Sequence, residues 1–179
     1  MRRILALAPA LALLAGCSVS TPIAGTPEPA PPTSSTTKHA AEPGLPPDPE
    51  PAREAKCPYL SAETVQDANG QHVTTVRVSA DEPHPACFFY RPDGGLQVTV
   101  QVYVGTKDIA TKLVNRAAPV DSSNPASDPA GWKGGYQPAG DGVVYAVSKG
   151  GDAVIVTSNQ QQSIKARTVA KKAIAALKL

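Results

Sequence analysis

The side chains best able to do chemistry in this chain are three cysteines, three histidines and a single tryptophan. Cys17 lies in a leader-like segment, which leaves Cys57 and Cys87 as an even pair. In an exported, oxidising setting they are expected to join as a disulfide. Closing a loop of about 30 residues would stabilise a fold by roughly 3.5 kcal/mol. The competing chemistry is a zinc site made of Cys57, Cys87 and His84. Such sites are usually built on close Cys-x2–4-Cys or His-x3–5-His pairs, which the sequence lacks, so no metal site is expected. His39 falls in a proline-rich stretch, His72 opens a strand, and His84 is held between Pro83 and Pro85. None has the positioned partner that a general base requires. Gly-x-Ser-x-Gly, His-Glu-x-x-His and Gly-x4-Gly-Lys are all missing. The oxygen-rich run from Asp121 to Asp128 lacks the spacing and closing Glu of a calcium loop and reads as a turn. No catalytic residue and no cofactor are expected.

Cys17 has a different context. Arg2 and Arg3 precede an apolar run from Ile4 to Ala15, the layout of a secretory signal peptide over residues 1–16. Leu14-Ala15-Gly16-Cys17 resembles the lipobox of bacterial lipoproteins, whose cysteine is acylated and becomes the new N-terminus. The plainer alternative is an ordinary signal peptide with a chance cysteine at its cleavage site. No apolar run reaches the roughly 18 residues that read as a spanning helix. Membrane attachment is therefore expected through lipid on Cys17; one acyl chain holds a protein only marginally, and the lipobox resemblance implies at least two. The expected location is the extracytoplasmic face of the cell membrane. A formal charge of +2 is too small for the basic stripe of a nucleic-acid binder.

These sites need elements to position them. Residues 17–56 are rich in Pro, Ala, Thr, Ser and Glu, with Val19, Ile23 and Leu45 as isolated aliphatics. Such a stretch cannot bury enough apolar surface to offset its ordering entropy and reads as a disordered spacer. Its prolines stiffen it toward polyproline II, and Thr33–Thr37 is either an O-glycosylation tract or plain polar linker. A globular domain is expected over residues 57–179. Ser61 opens a short helix that Asn69-Gly70 stops. Strands are expected over His72–Ser79, Cys87–Tyr90 and Leu96–Val104, the last with strict alternation of Val98, Val100, Val102 and Val104. A helix follows Gly105, with Ile109, Ala110, Leu113, Val114 and Ala117 on one face. A long loop runs from Pro119 to Gly140, a hairpin joins Val143–Ser148 to Ala153–Thr157, and a helix spans about Gln161 to Leu177. The fold class is α+β, an antiparallel sheet of about five strands with helices packed on one face.

Cys57-Pro58-Tyr59-Leu60 and Pro85-Ala86-Cys87-Phe88-Phe89-Tyr90-Arg91-Pro92-Asp93-Gly94-Gly95 are similar to segments of actinobacterial, especially mycobacterial, cell-envelope lipoproteins with an uncharacterised domain. The resemblance covers the lipobox and about residues 57–179. It implies a small α+β domain in the cell envelope and supplies no catalytic residues.

The loop from Pro119 to Gly140 is long for a compact domain, where such loops are usually functional or disordered. It holds Trp132 and Tyr136 around Lys133 and a glycine pair, which makes these three residues the candidate binding loop. The competing reading folds Trp132 back into an aromatic-poor core. Lys165, Arg167, Lys171, Lys172 and Lys178 line one face of the last helix, ready for anionic lipid or wall polymer or simply for solvent. The chain is expected to be a membrane-anchored, non-enzymatic module that binds an envelope protein, lipid or polymer through its sheet face or the Trp132 loop. The alternative is a carrier of an apolar ligand in a cavity between sheet and helices, beside Ala170 and Ala173.

Overall fold

A computed structural model describes residues 44–179. The leader, Cys17, His39 and most of the spacer lie outside the described residues. The elements in chain order are β1 (Arg53–Glu54), α1 (Ala62–Asn69), β2 (Thr75–Val78), β3 (Cys87–Tyr90) and β4 (Leu96–Val104). They continue with α2 (Lys107–Ala117), β5 (Asn124–Ala126), β6 (Lys133–Ala139), β7 (Gly142–Lys149), β8 (Asp152–Ser158) and α3 (Ser163–Leu177). The strands form one antiparallel sheet in the order β1-β2-β3-β4-β8-β7-β6-β5. Two four-stranded meanders are therefore fused where β4 meets β8, in a register that runs from Val98 opposite Ser158 to Val104 opposite Asp152.

The sheet is larger than expected, with eight strands rather than about five. β5 and β6 lie inside the stretch read as a loop. They carry Pro125, Pro138, Gly134 and Gly135, residues that weaken strand propensity and confine a strand to sheet edges or bulges. Pairing with β7 supplies the order that the local sequence lacks.

The helices also cover both faces, not one. Val98, Val100 and Val102 of β4, Val154 and Val156 of β8, and Val143, Tyr145 and Val147 of β7 share a core with Ala166, Val169, Ala170, Ala173 and Ile174 of α3. The intervening residues Val144, Ala146, Ala153 and Ile155 share a separate core with Ala110, Leu113 and Val114 of α2. Successive strand residues point to opposite faces, so α3 lies on one side and α2 on the other. The α3 side also receives α1 and the residues after Cys57.

Local chemistry sets the helix ends. Ser61 caps α1 by accepting from the Thr64 amide at 3.1 Å, and Gly70 ends it in the left-handed region at φ 73°, where a side chain is strained. Thr106 caps α2 by accepting from the Ile109 amide. Cys57 and Cys87 are bonded, with Cα atoms 5.7 Å apart. The bridge fastens the start of the α1 segment to the first residue of β3.

Candidate functional site

The face of the sheet opposite α1 and α3 is only partly covered by α2, which packs over β6, β7 and β8. The strands β2, β3 and β4 turn Arg77, Phe88, Tyr90, Thr99, Gln101 and Tyr103 toward this face, as the register and the buried alternation with Val78, Cys87, Phe89, Val98, Val100 and Val102 require. All six are at least partly shielded, and Phe88 is only 5% exposed. Burial pushes the Tyr90 phenol above its ordinary range, against the opposing pull of the neighbouring Arg77 charge.

What crosses this face is the end of the expected spacer. Leu45 packs against the α2 core with Val144, Ala146 and Ile155. Arg116 of α2 then grips the next residues: one guanidinium nitrogen donates to the Pro46 carbonyl at 3.0 Å, and the other meets the Asp48 carboxylate at 2.8 Å. At the far edge, the amides of Ala52 and Ala55 donate to the carbonyls of Val78 and Val76 at 2.9 and 3.2 Å. A segment docked at α2 and at the outer edge of β2 must pass over β8, β4 and β3. Residues 45–52 in polyproline II form would reach about 22 Å, and the strand spacings from β8 to β1 add up to about 19 Å. An extended strap fits the crossing.

Residues 45–55, part of the stretch read as spacer, make these contacts with the sheet and α2. Pro46, Pro47, Pro49 and Pro51 lower the entropy lost on docking, since their backbone is already restricted. Arg116 is only 6% exposed and Asp48 24%, so the pair is largely withdrawn from water. Removing Asp48 would take this carboxylate away from a guanidinium that is largely withdrawn from water.

The three residues of the expected binding loop behave differently from one another. Trp132 is 2% exposed and belongs to the α3-side core, with the Lys149 ammonium 5.8 Å from its ring centroid. Tyr136 is partly buried against the same core, and Lys133 is exposed at the start of β6. A Cβ on Gly134 would collide with the Ala146 carbonyl and Val114, and one on Gly135 with the Ser123 side chain. Both glycines are strand positions where neighbours approach too closely for any side chain. The segment before Trp132 is pinned to α3, because Asp128 meets Lys171 at 3.1 Å and Arg167 at 3.6 Å. Its carbonyl also accepts from the Tyr145 hydroxyl.

The remaining polar groups are structural. Asn69, Gln97 and Ser158 are buried together, with Asn69 donating to Gln97 at 3.0 Å and accepting from Ser158 at 2.7 Å. Lys165 donates to the Asn69 carbonyl at 2.9 Å. This network ties α1 to β4, β8 and α3, and no buried side-chain nitrogen or oxygen among the described residues lacks a partner. The disulfide consumes both thiols of the zinc alternative. Among the described residues, no group of three or more His, Cys, Asp or Glu side chains could hold a metal ion. His72 shares a hydrogen bond with Gln66.

Leu45, Asp48 and Arg116 escaped the sequence reading. The signal available was a large aliphatic residue leading a run of alternating prolines, but its partner lies far along the chain on α2. No helix among the described residues is long and apolar enough to cross a membrane. No curated protein matches the chain. A family described as a domain of unknown function (DUF2020) matches residues 41–179, strap included, and the chain belongs to that family.

Proposed function

We propose that this chain is an exported, lipid-anchored binding module without catalytic chemistry of its own, and that it binds through the sheet face formed by β2, β3, β4 and β8. The observation that carries the reading is the strap. The chain's own extended, proline-rich segment lies across that face, held by edge hydrogen bonds at one end and by Arg116 at the other. A face that accepts one extended segment has the features of peptide recognition by edge pairing and polyproline docking: strand-edge carbonyls that accept from the segment, aromatic side chains and an arginine. Among the loop residues, Trp132 is committed to the core, which leaves the sheet face as the better docking surface. No observation among the described residues favours the carrier alternative. Ala166, Ala170 and Ala173 are fully buried, and their small size lets α3 approach the sheet closely.

The anchor and the binding face are tested separately. Cys17→Ala should release the protein from membranes into the soluble extracytoplasmic fraction, and unchanged membrane retention would remove the anchor. For the face, a photo-cross-linker at Gln101 is placed in chains carrying Leu45→Ser and Asp48→Ala, and the same group at Lys172 serves as control. Adducts to one exported component from position 101 and not from 172 are expected. Equal labelling from both positions would overturn the assignment of the face.

A further inference from the structure

The strap carries a sequence pattern that occurs twice in this chain. Its docked residues read Leu45, three residues, then Pro49-Glu50-Pro51-Ala52, and upstream stands Ile23, three residues, then Pro27-Glu28-Pro29-Ala30. Of the positions the docked copy uses, the aliphatic residue, the later prolines and the alanine match, whereas Pro46 and Asp48, which meet Arg116, correspond to Ala24 and Thr26 upstream. The aliphatic residue enters the α2 core at Leu45, and the alanine amide donates to Val78 at Ala52. Pro49 and Pro51 set the extended course between them. The two copies differ where it weakens the upstream one. Thr26 occupies the place of Asp48, the partner of Arg116, and Pro31-Pro32 replace the Arg53-Glu54 of β1, so their amides cannot join a ladder.

We infer that the strap face is a docking groove that reads an aliphatic residue followed after three positions by Pro-Glu-Pro-Ala, and that its second ligand is the Ile23–Ala30 segment of another copy of this chain. This rests on the reading of the sheet face as the binding face. The resident strap outcompetes the second ligand through its covalent proximity and through Asp48. The second ligand therefore enters only a groove whose own strap has been released.

The test uses the exported chain with Cys17→Ser, so that lipid plays no part. Leu45→Ser with Asp48→Ala releases the strap, and Ile23→Ser with Ala30→Pro makes an added peptide the only intact copy offered. A fluorescent peptide of residues 21–33 is titrated by anisotropy. It should bind the released chain at least tenfold more tightly than the chain with its strap intact. A peptide of the same composition with Pro27–Ala30 permuted should lose that binding, as should one with Ala30→Pro. Equal binding of native and permuted peptides would overturn the motif reading. So would no binding to a chain whose strap is shown by limited proteolysis to be released.

If the released variant does not retain the circular dichroism of the parent, Arg116→Met replaces it as the releasing change. In released chains that keep Ile23 and Ala30, sedimentation should show self-association that Ile23→Ser abolishes. A strict monomer that still binds the peptide would overturn the second copy as the occupant. Failure of the peptide while position 101 still labels an exported component would remove this ligand and leave the binding face standing.

Discussion

The two faces of the sheet are built on opposite principles. On the α3 side, valines from β4, β7 and β8 meet three alanines, Val169 and Ile174 of the helix, and Trp132 fills the margin. That burial is apolar, non-directional and shared among many side chains. On the other side α2 closes its own apolar core over β6, β7 and β8, and beyond it the cover is a proline-rich strap over Arg77, Thr99, Gln101 and the aromatic Phe88, Tyr90 and Tyr103. Its hold comes from one aliphatic residue, a few edge hydrogen bonds and the Arg116–Asp48 pair. One cover is held by burial shared among many side chains, the other by a few named contacts beside the α2 core.

The sharpest way to break this contrast is to attack each face in turn. Trp132→Ala removes a fully buried indole from the α3-side core and should cost about 3–5 kcal/mol in urea unfolding; a loss below about 1 kcal/mol would mean that the indole is not core. Removing the bridge with Cys57→Ser and Cys87→Ala should cost roughly 3.5 kcal/mol by the loop-closure argument, read as a shift of the same urea midpoint.

On the strap side the expected outcome has a different form. Leu45→Ser with Asp48→Ala should make residues 44–52 open to protease while the body from Cys57 onward stays resistant, with global stability lowered by about 1–3 kcal/mol. Simultaneous digestion of the whole domain would show that the strap is part of the cooperative core.

Alkaline pH offers a milder probe of the apolar side. The Tyr59 hydroxyl is shared between the carbonyls of Pro85 at 3.0 Å and Val100 at 3.2 Å, and burial pushes its phenol well above the ordinary tyrosine range. A folded value above the unfolded one means full stability below about pH 10 and loss above it, at about 1.4 kcal/mol per pH unit for this group. Tyr59→Phe should flatten that slope in unfolding measurements between pH 9.5 and 11. The smallest effect is expected at Asp128, whose partners Arg167 and Lys171 are well exposed. Asp128→Asn should change stability by less than about 1 kcal/mol.

The parts legible in the sequence were those whose order is written locally. β4 shows its alternation of valines over Leu96–Val104, and α1 shows Ser61 and Gly70 at its two ends. The disulfide followed from setting Cys17 aside as the expected lipid site, which leaves Cys57 and Cys87 as a pair. What escaped was order lent from a distance. β6 holds two glycines and a proline, and becomes a strand because β7 presents its edge. The strap has the composition of a disordered linker, and becomes structure because Arg116 and the edge of β2 wait for it. Helices on both faces were hidden for a similar reason. Valines and alanines suit either side of β7 and β8, and periodicity alone does not say which helix takes which side.

The bridge between Cys57 and Cys87 gives the molecule a mechanical stop. It joins the chain just after β1 to the first residue of β3, so any pull from the N-terminal side reaches a covalent crosslink before it reaches α1. Tension can strip the segment up to about residue 56 from the sheet edge, hydrogen bond by hydrogen bond. At Cys57 the load passes directly into β3, inside the sheet between β2 and β4. A load applied from the N-terminal side therefore meets a covalent bond before it meets the core behind β3.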